Sequence, residues 1–115
     1  MQYLLMIYGN EAAMQSAGKQ VVEQMQAAYG AYTGALQEAG VIRGGERLRP
    51  SSAASTVRVA GGKTQVLDGP YAETKEQLGG YYLIDVPDLD AALSWAARCP
   101  GAAYGVIEVR PLWPM

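Results

Sequence analysis

Tyr3-Leu4-Leu5-Met6-Ile7-Tyr8, closed by Gly9-Asn10, is the stretch on which the architecture turns. Its length and its aromatic and β-branched content predict a buried strand. Both alternating sets are apolar: Tyr3, Leu5 and Ile7 on one side, Leu4, Met6 and Tyr8 on the other. A strand that is apolar on both sides must be covered on both sides. The rest of the chain has to supply that cover.

Downstream, Val22, Met25, Tyr29, Tyr32, Leu36 and Ala39 recur at steps of 3, 4, 3, 4 and 3 residues. That spacing predicts one long helix from about Ser16 to Ala39, with a single apolar stripe and Gly40 as its C-terminal stop. Gly30 and Gly34 inside it suggest a close approach to the sheet. Val41 to Glu46 reads as a short, irregular strand, and Leu48 to Ser55 as a loop. Thr56–Ala60 and Thr64–Leu67 alternate around Gly61-Gly62, a hairpin signal. Tyr81–Val86 is a second strong strand, with Tyr81, Leu83 and Asp85 on one face and Tyr82, Ile84 and Val86 on the other. Asp88 caps a helix from Leu89 to Arg98, with Leu89, Ala92, Leu93 and Ala96 as its expected stripe and Pro100 as its end. Gly105–Arg110 is the last strand, with Val106, Glu108 and Arg110 sharing a face; Pro111 and Pro114 mark the tail as non-strand.

The expected class is α+β: an antiparallel sheet with two helices on one face. The opposite face stays apolar, and a large exposed apolar patch marks an interface. The simplest cover is a second copy laid face to face, a homodimer, with Asp85, Glu108 and Arg110 lining a cavity between the two sheets.

Composition narrows the chemistry. The 115 residues suit a single domain spanning 1–115. Charged residues make up 17%, against a usual ~25%, so some surface is expected to be hidden by a partner. There is no histidine, which excludes Ser-His-Asp and Cys-His relays and His-ligated metals. The one cysteine, Cys99, cannot form an internal disulfide or a Cys-rich metal site, and is expected to be a passive core residue. No metal and no cofactor are expected. The net charge of −2 argues against nucleic acid as a partner. Arg43, Arg47 and Arg49 form a local cluster that either clasps an anion or is a solvated loop. The N-terminal stretch lacks the charge and length of a signal peptide, and no run approaches a membrane span, so a cytoplasmic protein is expected.

The most specific stretch is Asp68-Gly69-Pro70-Tyr71-Ala72-Glu73-Thr74-Lys75-Glu76-Gln77-Leu78-Gly79-Gly80-Tyr81-Tyr82. Locally, Thr74 and Gln77 have capping-box spacing, and Gly79-Gly80 is expected to stop a helix after one turn. The stretch resembles the signature of YCII-related proteins of the DGPF type, Asp-Gly-Pro-Phe followed by Ala-Glu-Thr-Lys-Glu, with Tyr71 in place of Phe. Tyr3–Gly9, Ala39-Gly40-Val41, Asp85–Asp90 and Glu108–Leu112 also look like the family pattern. The resemblance implies a ferredoxin-like fold that pairs into a dimeric α/β barrel, in a bacterial protein often encoded beside extracytoplasmic-function sigma factors. The broader superfamily includes metal-free lyases, isomerases and monooxygenases. Better understood members use a His-Asp pair; with no histidine here, that assignment does not carry over, and Asp68 stands without its partner.

These readings nominate Asp68 as the catalytic acid or base, its alternative being a turn residue that accepts backbone N–H groups. Tyr71, Glu73, Lys75, Tyr81, Asp85, Glu108 and Arg110 are the ligand-binding candidates. Tyr71 would lay its ring on a ligand or wedge under the loop. Glu73 and Lys75 would pair with each other, meet a ligand or face solvent. Arg110 would hold a carboxylate through its planar fork or simply pair with Glu108. The expected function is cofactor-free proton transfer on a small organic molecule. The alternative is a non-catalytic ligand-binding or regulatory module with a sigma factor or other protein as its partner.

Overall fold

A computed structural model describes residues 1–114. Strand β1 (Gln2–Gly9) leads through a short helix α1 (Glu11–Gln15) into the long helix α2 (Lys19–Glu38). Then come β2 (Ile42–Arg47), a hairpin of β3 (Ser55–Ala60) and β4 (Lys63–Asp68), β5 (Gln77–Asp85), α3 (Leu89–Arg98) and β6 (Val106–Pro111). The main sheet has the order β2-β5-β1-β6, and every neighbouring pair is antiparallel. This is the expected α+β sheet with helices on one face.

Strand register sorts the side chains, because directly opposed residues share a face. Leu5 lies opposite Tyr82 and Val109, and Tyr3 opposite Ile84. This face meets the helices: Tyr3, Leu5, Ile84 and Val86 are buried with Tyr32, Leu36, Ala92, Ala96 and Cys99. Phenylalanine is absent, and the tyrosines that replace it find partners. The Tyr32 hydroxyl donates to the Trp95 carbonyl at 2.7 Å, and the Tyr82 hydroxyl lies 2.7 Å from Thr33 Oγ1. Burial pushes the phenols of Tyr29, Tyr32 and Tyr82 well above their ordinary range. Burial also raises the Cys99 thiol, as suits an inert core residue.

The other face carries Leu4, Met6 and Tyr8 from β1 opposite Leu83, Tyr81 and Leu78 of β5, and Arg110, Glu108 and Val106 of β6. No helix covers it. The molecule is accordingly a slab, 48 × 43 × 18 Å, with a radius of gyration of 16.0 Å, where a compact chain of this length has about 13 Å. Its accessible surface is 8078 Å², against about 6,100 Å² for a compact monomer of this mass.

Several local expectations are corrected. The long helix starts at Lys19, because Asn10 caps a separate turn by accepting the Ala13 amide at 3.0 Å. Gly30 and Gly34 face solvent, with no packing neighbour within contact distance of a Cβ, so they serve no close approach. In α3, capped by Asp88, small Ala92 and Ala96 meet the sheet, while Leu89 and Leu93 are about half exposed. The hairpin pairs only with itself and stands outside the main sheet. Residues 74–77 form no helix: Gln77 already belongs to β5, and its side-chain amide donates to the Thr74 carbonyl. Gly79-Gly80 is strand, not a stop. Gly79 is the extra residue of a bulge against Ile7 and Tyr8, and a Cβ on Gly80 would lie 2.9 Å from the Glu46 carbonyl oxygen. Pro111 ends β6, an edge strand where a missing N–H is tolerated. No helix among the described residues is long and apolar enough to cross a membrane.

Candidate functional site

The Asp-Gly-Pro-Tyr segment leaves β4 through a turn that needs glycine. Gly69 has φ +105°, a conformation that side chains disfavour. Its N–H donates to the Ala54 carbonyl at 2.6 Å, and its own carbonyl accepts from Thr56 Oγ1 at 2.9 Å. Pro70 fixes the next φ. The motif loop is thereby tied to the segment joining β2 and β3.

A second tie comes from Glu11, which the sequence reading did not single out. Its carboxylate accepts from both the amide and the hydroxyl of Ser51, each at 2.6 Å. Its own amide donates to Gln77 Oε1 at 3.0 Å. One residue at the start of α1 thus pins the β2–β3 segment and the base of the motif loop together.

Between these two segments and the end of the open sheet face lies a cleft of about 680 Å³. Tyr8, Leu48, Leu78 and Tyr71 give it apolar walls; Arg49, Ser51, Thr74 and Gln77 bring polar groups. The bulge at Gly79 places Leu78 opposite Tyr8 at its floor. A smaller hollow of about 200 Å³ adjoins it, lined by Thr56, Arg58, Gln65, Leu67 and Asp68 and sharing Pro70 and Tyr71 with the cleft. The Arg58 guanidinium stands 5.8 Å from the Tyr71 ring centre.

The nominated residues are only partly brought together. Asp68 and Tyr71 meet at the small hollow, and Tyr71 alone extends to the cleft. The Asp68 carboxylate is exposed and receives no backbone N–H among the described residues, so the turn is held by Gly69 instead. Glu73 and Lys75 are exposed, unpaired with each other among the described residues, and line neither space. Tyr81, Glu108 and Arg110 lie on the open sheet face, where Arg110 donates to Glu108 at 2.7 Å. Asp85 sits at the far end of that face. The Met1 ammonium, 2.9 Å away, holds its carboxyl below the usual range, helped by Arg43 at 3.9 Å. Of the expected arginine cluster, Arg43 and Arg49 do not converge: Arg43 is engaged by the Gly40 and Ile42 carbonyls and Asp85, whereas Arg49 lines the cleft.

Fold and cleft define a ferredoxin-like α+β protein with one bare sheet face and a loop-walled cleft at its end. The YCII-related domain model matches residues 1–115, and the chain belongs to that family. It is 41% identical over 114 residues to an uncharacterised protein of Rhizobium meliloti (strain 1021), covering 97% of this chain and 92% of that one. Its fold is similar to that of 5-chloro-2-hydroxyhydroquinone dehydrochlorinase from Burkholderia phenoliruptrix AC1100, solved in complex with 2,5-dihydroxybenzoquinone. That match has a TM-score of 0.57 and 16% identity, and covers 98% of this chain and 94% of the other.

Proposed function

We propose that the chain is a homodimeric enzyme that binds a small organic molecule in the cleft beneath the motif loop and transfers a proton on it, as a lyase or isomerase does. The pinned cleft carries this reading. Two loops far apart in sequence are held by Glu11 and Gly69 around a space within the ~300–1,000 Å³ of small-molecule sites, mostly apolar with a few polar groups. Such walls suit a planar ring between Tyr8 and Tyr71, with Arg49 matching an anionic substituent. The ring bound by the dehydrochlorinase of similar fold is a ligand of that class. Asp68, in the adjoining hollow, is the acid or base. Glu73 and Lys75 are its charged neighbours on the loop. The bare sheet face, with Tyr81, Asp85, Glu108 and Arg110, is covered by the second copy.

The test is a thermal-shift screen with small aromatic acids and hydroxyquinones, followed by calorimetry and turnover assays. A ligand at a hundredfold excess over its Kd adds about 2.7 kcal/mol of stability. Tyr71→Ala is expected to abolish that gain. Asp68→Asn is expected to keep binding and lose turnover. Full turnover in Asp68→Asn would remove Asp68 from the chemistry, and binding without turnover in the unaltered protein would favour the non-catalytic binding module.

A further inference from the structure

The β3–β4 hairpin is not explained by the cleft or the core. Its register puts Val57 opposite Val66, with Val59 on the same face; Thr56, Arg58, Gln65 and Leu67 point the other way, toward Tyr71. The three valines are 61, 66 and 61% exposed. β3 and β4 have no strand neighbour in the main sheet. A lone two-stranded hairpin is marginal in water and needs a surface to pack on. An exposed β-branched face of this kind is also a hazard for aggregation unless it is covered.

The size of the exposed surface points to what covers it. The chain exposes about 2,000 Å² more than a compact monomer of its mass, an amount per protomer typical of obligate homodimers. The bare sheet face cannot account for all of it. Four strands of about six paired residues span roughly 20 × 20 Å, a footprint of about 400 Å². Outside that face, the hairpin carries the largest group of exposed large apolar side chains among the described residues, Val57, Val59, Val66 and Leu67.

We infer that the hairpin is an intersubunit arm, which buries the Val57, Val59 and Val66 face against a second copy of this chain. The inference rests on the face-to-face dimer proposed above and extends it. Because the motif loop follows β4 directly, an arm anchored on the partner also steadies Gly69, Pro70 and Tyr71, so each cleft depends on the other subunit for its rigidity.

The experiment places a benzophenone maleimide on Val59→Cys in the full chain; Cys99, buried at 2% exposure, stays unlabelled. Irradiation is expected to give a covalent species of twice 12.3 kDa. In parallel, the triple variant Val57→Thr, Val59→Thr, Val66→Thr keeps β-branched side chains and is expected to weaken dimerisation at least tenfold by sedimentation equilibrium, with an unchanged circular dichroism spectrum. If the unaltered protein is dimeric but the labelled Val59→Cys variant yields only products of single-chain mass, or if the triple variant dimerises as tightly as the unaltered protein, the arm is refuted and the sheet-face dimer stands. If the unaltered protein sediments as a monomer, the dimer reading fails and the arm with it.

Discussion

Glu11→Ala removes the acceptor of two hydrogen bonds, from the Ser51 amide and hydroxyl, each 2.6 Å long. Hydrogen bonds to a charged group contribute about 1.5–3 kcal/mol each. Glu11 is only half buried, so water replaces part of the loss, and about 2 kcal/mol is expected for the pair. That energy holds a loop, not the core: Leu5, Leu36 and Ile84 are fully buried and untouched by the change. The loss therefore appears as local opening. At 1.4 kcal/mol per factor of ten, the Ser51 amide is expected to exchange about 30-fold faster under native conditions, while amides of the helix around Leu36 keep their rates. Native-state hydrogen exchange read residue by residue makes the comparison. Ser51→Ala, which removes only the hydroxyl bond, should show a smaller effect, and the double variant should fall short of the sum because both act through one carboxylate. Unchanged exchange at Ser51, or equal acceleration at Leu36, would refute the argument that Glu11 is a clamp for the cleft.

Gly105→Ala would drive a Cβ into the Tyr8 carbonyl oxygen and put it 3.1 Å from Gly9 Cα, contacts with backbone that no rotamer change relieves. Overpacking costs about 1–3 kcal/mol and here more, so a urea midpoint equal to that of the unaltered protein would contradict the packing of β6 on β1. Raising the pH tests the buried phenols. Tyr29, Tyr32, Tyr82 and Cys99 all have folded pKa values raised by burial, so the fold binds their protons more tightly than the unfolded chain does. Their contribution is fully present below the ordinary values of 9.0 for the thiol and 10.0 for the phenols and is lost as pH climbs above them. Melting temperatures should fall in that alkaline range, with the Tyr29, Tyr32 and Tyr82 phenols of the folded protein ionising above the ordinary value; ionisation of these three at the ordinary value in the folded protein would rule this out.

The sheet and its bare face were legible because their signal is local. Two-residue alternation in β1, β5 and β6 sorts side chains by face whatever the partner strand, so Tyr81, Leu83 and Asp85 separate from Tyr82 and Ile84 in the sequence as they do in the register. Signals that depend on a neighbour misled. Gly79-Gly80 reads as a breaker in isolation; in the fold these residues allow β5 to bulge and to lie so close to β2 that a Cβ on Gly80 would stand 2.9 Å from the Glu46 carbonyl oxygen. Leu89 and Leu93 have core spacing, yet α3 turns its alanines to the sheet, since small side chains let the helix sit close and leave the leucines at its flanks. The hairpin was visible from Gly61-Gly62, but nothing within it tells which sheet it joins.

The cleft was the least legible part, for a related reason. Its clamp joins Glu11 to Ser51 and Gln77, residues separated by 40 and 66 positions. Each of the three, taken alone, has the composition of solvated surface. In the sequence the motif stands out through Asp68-Gly69-Pro70-Tyr71, and its charged side chains read as the functional ones. The structure shifts the weight: Gly69 and Pro70 shape the loop, Glu11 ties its base through Gln77 and the facing segment through Ser51, and Tyr71 alone of the nominated residues reaches the cleft. A loop motif rich in glycine, proline and polar residues thus specifies a wall. Facing that wall across the cleft are Tyr8 of β1, Leu48 and Arg49 of the β2–β3 segment and Leu78 of β5, the residues a ligand of the proposed kind would meet. An exchange confined to those four, such as Arg49→Leu, is expected to move the stabilising hits of the thermal-shift screen from anionic to neutral ligands while leaving every tie of the motif loop in place.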